Sequence, residues 1–288
     1  MTVCHEHHLH GTVIRLRSAK VIMRPPNMNM EKRNGSDKTA LAKLRPAMVA
    51  KKIDVSRVAQ ALHRLQDLLP LKERQQSLEK PVVEVHRAIL RSLLNRGRAL
   101  TGDEIAAMLG SKDAAAQAVA LLGSKDLVVR NELAVRDEKM NDRAMLDTTG
   151  GEVVGAYPMT TEVTPHMVTV KGHDVYAMCA VDALAIGPMF DAETLIRSRC
   201  HVTGLPVSIH QKGKEILQVE PSNEICVGVR WQRLTGCCAH DMCRQMVYLK
   251  NAKTGTAWQE TDPLSIELFT LQETIEFGVA FFLPLLAD

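Results

Sequence analysis

Aromatic side chains are scarce in this sequence, since Phe, Trp and Tyr make up only 3% of its 288 residues. Hydrophobic residues still account for 45%, so we expect a sizeable core built from Leu, Val, Ala, Ile and Met. No run of eighteen apolar residues occurs, and we therefore expect no transmembrane helix and no membrane partner. The His-rich and then basic start lacks the apolar stretch of a signal peptide, which favours a cytoplasmic location.

A strong charge of one sign is also missing. The formal net charge is only +3, which gives no general argument for nucleic-acid binding. Basic residues concentrate in residues 1–52, which we interpret as a basic, disordered N-terminal extension. Contact with nucleic acid and an organellar transit peptide are weaker interpretations of the same composition. Internal methionines leave the true start codon open.

Helical periodicity appears first in residues 53–80, which we predict to form a helix capped by Asp54 and a linker. Residues 81–150 are predicted as a winged-helix-like domain of three helices and a strand, with a capping box from Thr101 to Glu104. The third of these helices lacks the Arg, Asn and Gln side chains that read base edges. A structural or dimerising role is therefore favoured over DNA binding.

Strand-like patterns follow, and residues 151–288 are predicted as the second domain. Its expected strands lie at residues 153–157, 167–170, 207–210, 225–229 and 247–249. The closing segment, Ser265 to Leu286, is predicted as helix in two pieces. The predicted fold class is therefore α+β, with a winged-helix-like helical domain followed by a mixed or antiparallel β-sheet core with helices.

The cysteines are clustered. Of seven in the chain, six fall within residues 179–243. In a reducing cytosol such clustering favours metal-binding or catalytic thiols over disulfides. A buried thiol can also serve as a small hydrophobe, which is the interpretation we favour for Cys226 in its strand-like surroundings. No Cys-x-x-Cys motif lies beside Cys179, which argues against a thiol oxidoreductase.

One apolar stretch, Tyr176 to Leu184, combines two chemical groups at helical spacing. Cys179 and Asp182 are three residues apart, so on a helix they would share a face. A second thiol site, formed by Cys237 and Cys238, lies downstream. Two thiolates from distant segments suit mercury or Cu(I) better than zinc, which takes more ligands. Apolar neighbours should raise the pKa of the Asp182 carboxyl and keep a proton available near neutrality.

These motifs resemble the organomercurial (alkylmercury) lyase family. The resemblance rests on Tyr176 to Leu184, on Ser198 to Ser208 with its Cys-x-x-Thr-Gly element, and on Gly236 to His240. It continues through Ala257-Trp258 and the segment Glu273 to Gly278. It covers roughly two thirds of the chain and leaves out residues 1 to about 75.

The resemblance implies an enzyme that cleaves a carbon–mercury bond by protonolysis. Cys179 would be the first thiolate on mercury, Cys237 the second, and Asp182 would carry a proton from a thiol to the leaving carbon. Cys200 matches a structural cysteine and Cys238 a thiol that is dispensable for chemistry. No organic cofactor is implied. Organomercurials are the implied substrates, thiols such as glutathione or cysteine would remove Hg(II), and a mercuric reductase could receive it.

Two alternatives remain open. The chain could be a non-catalytic soft-metal binder or a metal-responsive regulator that combines the predicted winged helix with the cysteines. Cys237, His240 and Cys243 could also form a separate metal site. Cys243 has no counterpart that the resemblance identifies, and Arg244 to Met246 stand where the family commonly has aromatic residues. Neither the choice between alkyl and aryl substrates nor the oligomeric state follows from the sequence.

Overall fold

Two antiparallel sheets organise the protein in the computed structural model, which describes residues 53–131, 152–232 and 242–287. The larger sheet has eight strands in the order β1-β2-β3-β5-β4-β6-β7-β8. In the smaller sheet, β9 lies between β10 and β11. The strands are β1 Val128–Arg130, β2 Val153–Ala156, β3 Met159–Thr160, β4 His166–Val170, β5 His173–Ala177, β6 Glu193–Arg199, β7 Pro206–Lys212, β8 Glu215–Glu220, β9 Cys226–Arg230, β10 Met246–Leu249 and β11 Ile266–Thr270.

Eight α-helices accompany these sheets in the described part of the chain. They are α1 Val55–Leu68, α2 Leu71–Gln76, α3 Lys80–Arg96, α4 Gly102–Leu109, α5 Lys112–Ser124, α6 Ala180–Met189, α7 Ala252–Gln259 and α8 Leu271–Phe282. Short 3-10 helices span Met242–Gln245 and Leu283–Leu285. The mixture of helices and antiparallel sheet confirms the α+β class at this level.

Helix α1 begins as predicted, because the Asp54 side chain accepts a hydrogen bond from the Arg57 N–H at 3.1 Å. The helix packs against α8 and buries Leu65. The Asp54 N–H also donates to the Glu273 carboxylate at 3.3 Å, which joins the start of α1 to the start of α8. Residues far apart in sequence thus meet on one side of the core.

The helices expected in residues 81–150 are present as α3, α4 and α5, and the Thr101–Glu104 capping box opens α4. The strand that follows, β1, pairs with β2 at the edge of the large sheet. This segment therefore contributes a strand to the same sheet as the rest of the chain. The winged-helix assignment stays a prediction, and residues 132–151 lie outside the described part.

The closing segment was predicted as helix, and this is wrong for β11. Residues Ile266–Thr270 pair with β9, with Phe269 opposite Val227. Helix begins only at α8, where Thr270 and Glu273 form a capping box. The apolar pattern alone did not separate strand from helix, whereas the capping box marks the boundary in the sequence.

Helix α6 is buried along nearly its whole length and packs against α8, β10 and several strands of the large sheet. At Gly278 of α8, an added Cβ would lie 3.3 Å from the Val181 side chain, so the two helices approach closely. Of the helices that the structure describes, none is by itself long and apolar enough to cross a membrane. Only α4 and α5 taken together, with a bend of 110° between them, pass that test of length and composition.

We predict that Gly228→Ala destabilises the protein by about 1–3 kcal/mol, the usual range for overpacking a core. In β9, a Cβ at this position would overlap the Trp258 ring. The check is the free energy of unfolding in urea. Gly102→Ala is the matched control, because a Cβ there meets nothing within 4 Å. Equal stability of the two variants would contradict the packing of Trp258 on β9.

Candidate active site

Cys179 lies immediately before helix α6 rather than within it. Its backbone is extended, with φ −154° and ψ 177°, and it forms the N-cap of the helix. The Cys179 Sγ accepts a hydrogen bond from the Asp182 N–H at 3.3 Å. The expectation that both residues sit inside one helix is therefore corrected. The capping geometry still places the thiol over the first turn, which carries Asp182 at its third position.

The cap is chemically unusual, because Ser, Thr, Asp and Asn are the residues that cap helices best. The Cys179 thiol is fully buried, and burial raises its pKa to about 11. Hydrogen bonds from Cys243 and from the Asp182 N–H oppose this rise, but burial outweighs them. At neutral pH Cys179 is therefore a thiol, and it becomes a thiolate when something takes its proton.

Asp182 is a buried carboxyl with only 2% of its surface exposed. Its Oδ2 has no hydrogen-bond partner among the described residues. Burial raises the pKa of Asp182 to about 7, against the opposing effect of its hydrogen bonds with Cys179. The carboxyl can therefore both accept and donate a proton near neutral pH.

Cys243 completes a group of three. It lies in the 3-10 helix Met242–Gln245, directly before β10, and is 4% exposed. The two sulfurs and a carboxylate oxygen of Asp182 all lie within 4.8 Å of one another. Two soft sulfur ligands beside a proton-carrying carboxyl can hold a soft metal at low coordination number. The set is poor in the hard oxygen ligands that Mg²⁺ or Ca²⁺ prefer.

Side chains of strand β10 contact Cys179 and the first turn of α6. The Cys179 thiol contacts the Met246 sulfur at 3.6 Å. The Tyr248 hydroxyl donates to the Ala180 carbonyl at 3.2 Å, which ties the first turn of α6 to the strand. The His166 ring packs edge-on against Tyr248 and hydrogen-bonds the Ser198 hydroxyl at 2.9 Å. Burial lowers the pKa of His166 to about 4, so the ring is neutral at physiological pH.

Cys243 lines two cavities. One, of about 550 Å³, is lined by residues that include Met178, Cys200 and Cys243. The other, of about 10 Å³, is lined by Asp182, Cys243 and apolar side chains of α1 and α8. The smaller one has room for about one water molecule. Cys243 therefore lies between an open approach and the enclosed carboxyl.

The other predicted site residues have different outcomes. Cys200 ends up beyond β6, where its buried sulfur accepts the Lys250 N–H at 3.4 Å. The structural role of Cys200 stays a prediction, and this residue also lines the larger cavity. Cys237 and Cys238 belong to residues 233–241, which lie outside the described part, so their assignments stay predictions. The described cysteines, including Cys226, form no disulfide.

Cys243 was missed as a partner of Cys179 for an identifiable reason. Three cysteines occur within residues 237–243, and their spacing does not say which of them faces α6. The register of β10 against β9 gives this answer, because it sets Met246 opposite Val229 and positions the residues before it. A usable sequence signal was the position of Cys243 just ahead of an apolar strand.

Comparisons with known proteins place this geometry in context. The family model described as alkylmercury lyase matches residues 159–283. An alkylmercury lyase of Pseudomonas putida is 28% identical over 138 residues, which cover 48% of this chain and 64% of that protein. The alkylmercury lyase of Streptomyces lividans is 26% identical over 141 residues, or 49% of this chain and 61% of that protein. The chain thus matches less than two thirds of the length of these curated relatives.

The fold has a counterpart among solved structures. The crystal structure of the mercury-bound form of MerB2 superposes with a TM-score of 0.58 at 21% sequence identity. The match covers 74% of this chain and 98% of that one. At this identity the likeness concerns the arrangement of helices and strands.

We predict that Asp182 makes the protein less stable as the pH rises from about 4 to 7. Its pKa is about 7 in the folded state against an ordinary 3.8, so in this window the native state keeps a proton that the unfolded state loses. The free energy of unfolding should fall by roughly 1.4 kcal/mol per pH unit from this group. Urea unfolding of the wild type and of Asp182→Asn across this range measures the difference.

The histidines do not obscure this comparison. Burial lowers the pKa of His86 and His166 to about 4, so their contribution rises with pH, and it is present in both proteins. The difference between the two proteins isolates Asp182. Parallel pH dependences would contradict a carboxyl that is buried with its proton.

Proposed function

We propose that this chain, whose residues 159–283 match the family model described as alkylmercury lyase, cleaves the carbon–mercury bond of organomercurials. The products would be the hydrocarbon R–H and Hg(II). The observation that carries the proposal is the buried group of Cys179, Asp182 and Cys243 within 4.8 Å. It supplies two sulfur ligands for mercury and one acid for carbon.

Capture of the substrate begins at Cys243. This residue lines the larger cavity, whereas Cys179 is fully buried behind it. The Cys243 sulfur takes R–Hg⁺ by ligand exchange, and mercury then lies within reach of the Cys179 sulfur. The geometry thus favours an order in which Cys179 binds second, the reverse of the order that the family resemblance implied.

The proton needed at carbon comes from Cys179 through Asp182. The thiol loses its proton to the Asp182 carboxylate as its sulfur bonds to mercury. Two thiolates on mercury push electron density into the carbon–mercury bond and make the carbon more basic. Asp182 then delivers the proton, the electron pair of the broken bond stays with carbon, and Hg(II) remains on the two sulfurs.

The pKa values suit this sequence of steps. A carboxyl with a pKa of about 7 holds the proton for a short time and releases it readily, which is the condition for efficient proton transfer near neutrality. An exposed aspartate with an ordinary pKa near 3.9 would be a weaker base toward the Cys179 thiol and would rarely carry a proton near neutral pH. Burial of Asp182 is therefore functional as well as structural.

Release of the product requires other molecules. Two thiolates bind Hg(II) tightly, so low-molecular-weight thiols such as glutathione or cysteine would remove it by exchange. A mercuric reductase could accept the metal directly. No organic cofactor enters the proposed reaction.

The central test is the release of benzene from phenylmercury, or of methane from methylmercury, in excess thiol. Cys179→Ala should abolish release, because mercury then has one protein sulfur. Asp182→Asn should keep binding the organomercurial while losing hydrocarbon release, since only the proton carrier is gone. Full activity of Cys179→Ala would exclude the mechanism. Tight binding of Hg(II) by the wild type without any hydrocarbon would favour the soft-metal binder instead.

The identity of the second thiolate is tested separately. We expect Cys243→Ser to abolish hydrocarbon release and Cys237→Ser to retain it, because Cys243 adjoins Cys179 and Asp182. The single-turnover yield of benzene in a mercury-titrated sample is the measurement. Loss of activity in Cys237→Ser with an active Cys243→Ser would return the role to Cys237.

A further inference from the structure

The larger cavity has two arginine side chains at its lining that form no ion pair with an acid among the described residues. Arg199, at the end of β6, and Arg244, next to Cys243, both line it and are both exposed. Among the residues that the structure describes, Arg199 donates only to the Gly204 carbonyl, at 3.3 Å. Within the described residues, neither guanidinium has a carboxylate within 4.0 Å. Both therefore retain donors for an anion that enters from solvent.

The rest of the lining differs in character from these arginines. Val129, Val163, Pro165, Met178 and Val247 give it an apolar surface, and Glu162 is its one acidic member among the described residues. His201 adds no charge, because burial lowers its pKa further below the ordinary value of 6.5. A volume of about 550 Å³ falls within the usual range for small-molecule sites.

Resting on the proposed function, we infer that this cavity binds the organomercurial as its complex with a carboxylate-bearing thiol. Organomercury cations bind thiolates strongly, so in a thiol-rich solution the species that arrives is R–Hg–S–R′. A carboxylate on the carrier thiol R′ matches the free guanidinium groups, whereas the organic group R matches the apolar wall. Arg199 and Arg244 would thus orient the mercury toward Cys243.

The exchange step balances without any further reactant. The Cys243 sulfur forms a bond to mercury, and the bond from mercury to the carrier sulfur breaks. The carrier leaves with the electron pair of that bond and takes up the thiol proton of Cys243 as R′–SH. The arginines touch only the carrier, so they act in substrate recognition and not in cleavage of the carbon–mercury bond.

The test compares two carriers of similar size, 3-mercaptopropionate and its amide, each in excess over phenylmercury. For the wild type we expect kcat/KM for benzene release to be about tenfold higher with the carboxylate carrier, the effect of one or two charge-assisted bonds. In the double variant Arg199→Gln/Arg244→Gln this ratio of kcat/KM should fall close to one, and the change should appear in KM. Increasing salt should lower the wild-type ratio.

Arg197→Gln is the matched control. Arg197 is an exposed arginine on the same strand and donates to Thr169 at 2.9 Å, outside the cavity lining. It should keep the wild-type ratio. An equal loss of preference in this control would show a general effect of charge and overturn the inference.

Other outcomes separate the inference from the proposed function. Benzene release with equal kcat/KM for the two carriers in the wild type overturns carrier recognition and leaves the lyase proposal intact. If the double variant instead loses activity on 4-carboxyphenylmercury with the amide carrier, the arginines recognise the organic group, which also overturns it. If no benzene forms at all, the proposed reaction fails. The ratio of the Kd values for the two carrier complexes, measured by tryptophan fluorescence, then decides the inference.

Discussion

The burial of one carboxyl group is the constraint on which the site depends. Asp182 lies in the first turn of α6, with an oxygen that no described residue satisfies. An unpaired buried carboxylate is unfavourable in free energy, so burial raises the pKa of Asp182 to about 7. The same desolvation keeps Cys179 protonated. With a pKa of about 7, the Asp182 carboxyl is available in the ionised form that could accept the proton displaced from Cys179 and pass it to carbon.

Several distant segments maintain this environment. Leu65 and Leu69, from the region of α1, line the small cavity beside Asp182 together with aromatic side chains of α8. Tyr248 in β10 holds the first turn of α6 through the Ala180 carbonyl. The α1 contribution comes from outside the segment 159–283 that matches the family model. Burial of the Asp182 carboxyl thus requires residues outside the segment 159–283.

The two sides of Cys243 differ in chemistry. Toward solvent lies a cavity with arginines and an apolar wall, and toward the interior lies a space of about 10 Å³ beside the carboxyl. A charged carrier can be recognised on the outer side without entering the inner one. In the proposed reaction, this separation would let recognition use solvated charges while proton transfer would take place in a medium of low dielectric.

Local features of the chain were predictable because they depend on neighbours in sequence. The spacing of Cys179 and Asp182, the Asp54 cap and the Thr101–Glu104 capping box are set by i to i+3 geometry and appear in the structure. The strand β11 was missed because a five-residue apolar segment has no period that distinguishes it from helix. Its pairing with β9 makes it a strand.

By itself, the sequence determined which groups are available: clustered thiols, one carboxylate at a spacing of three from a cysteine, and apolar residues around them. Only the tertiary structure decided that Cys243 joins Cys179 and Asp182. The number of residues between Cys243 and the other two does not give their distance in space. The register of β10 with β9 sets that distance. The pKa of Asp182 was likewise decided by folding, because desolvation arises from side chains of α1, α6 and α8 that meet only in the folded core.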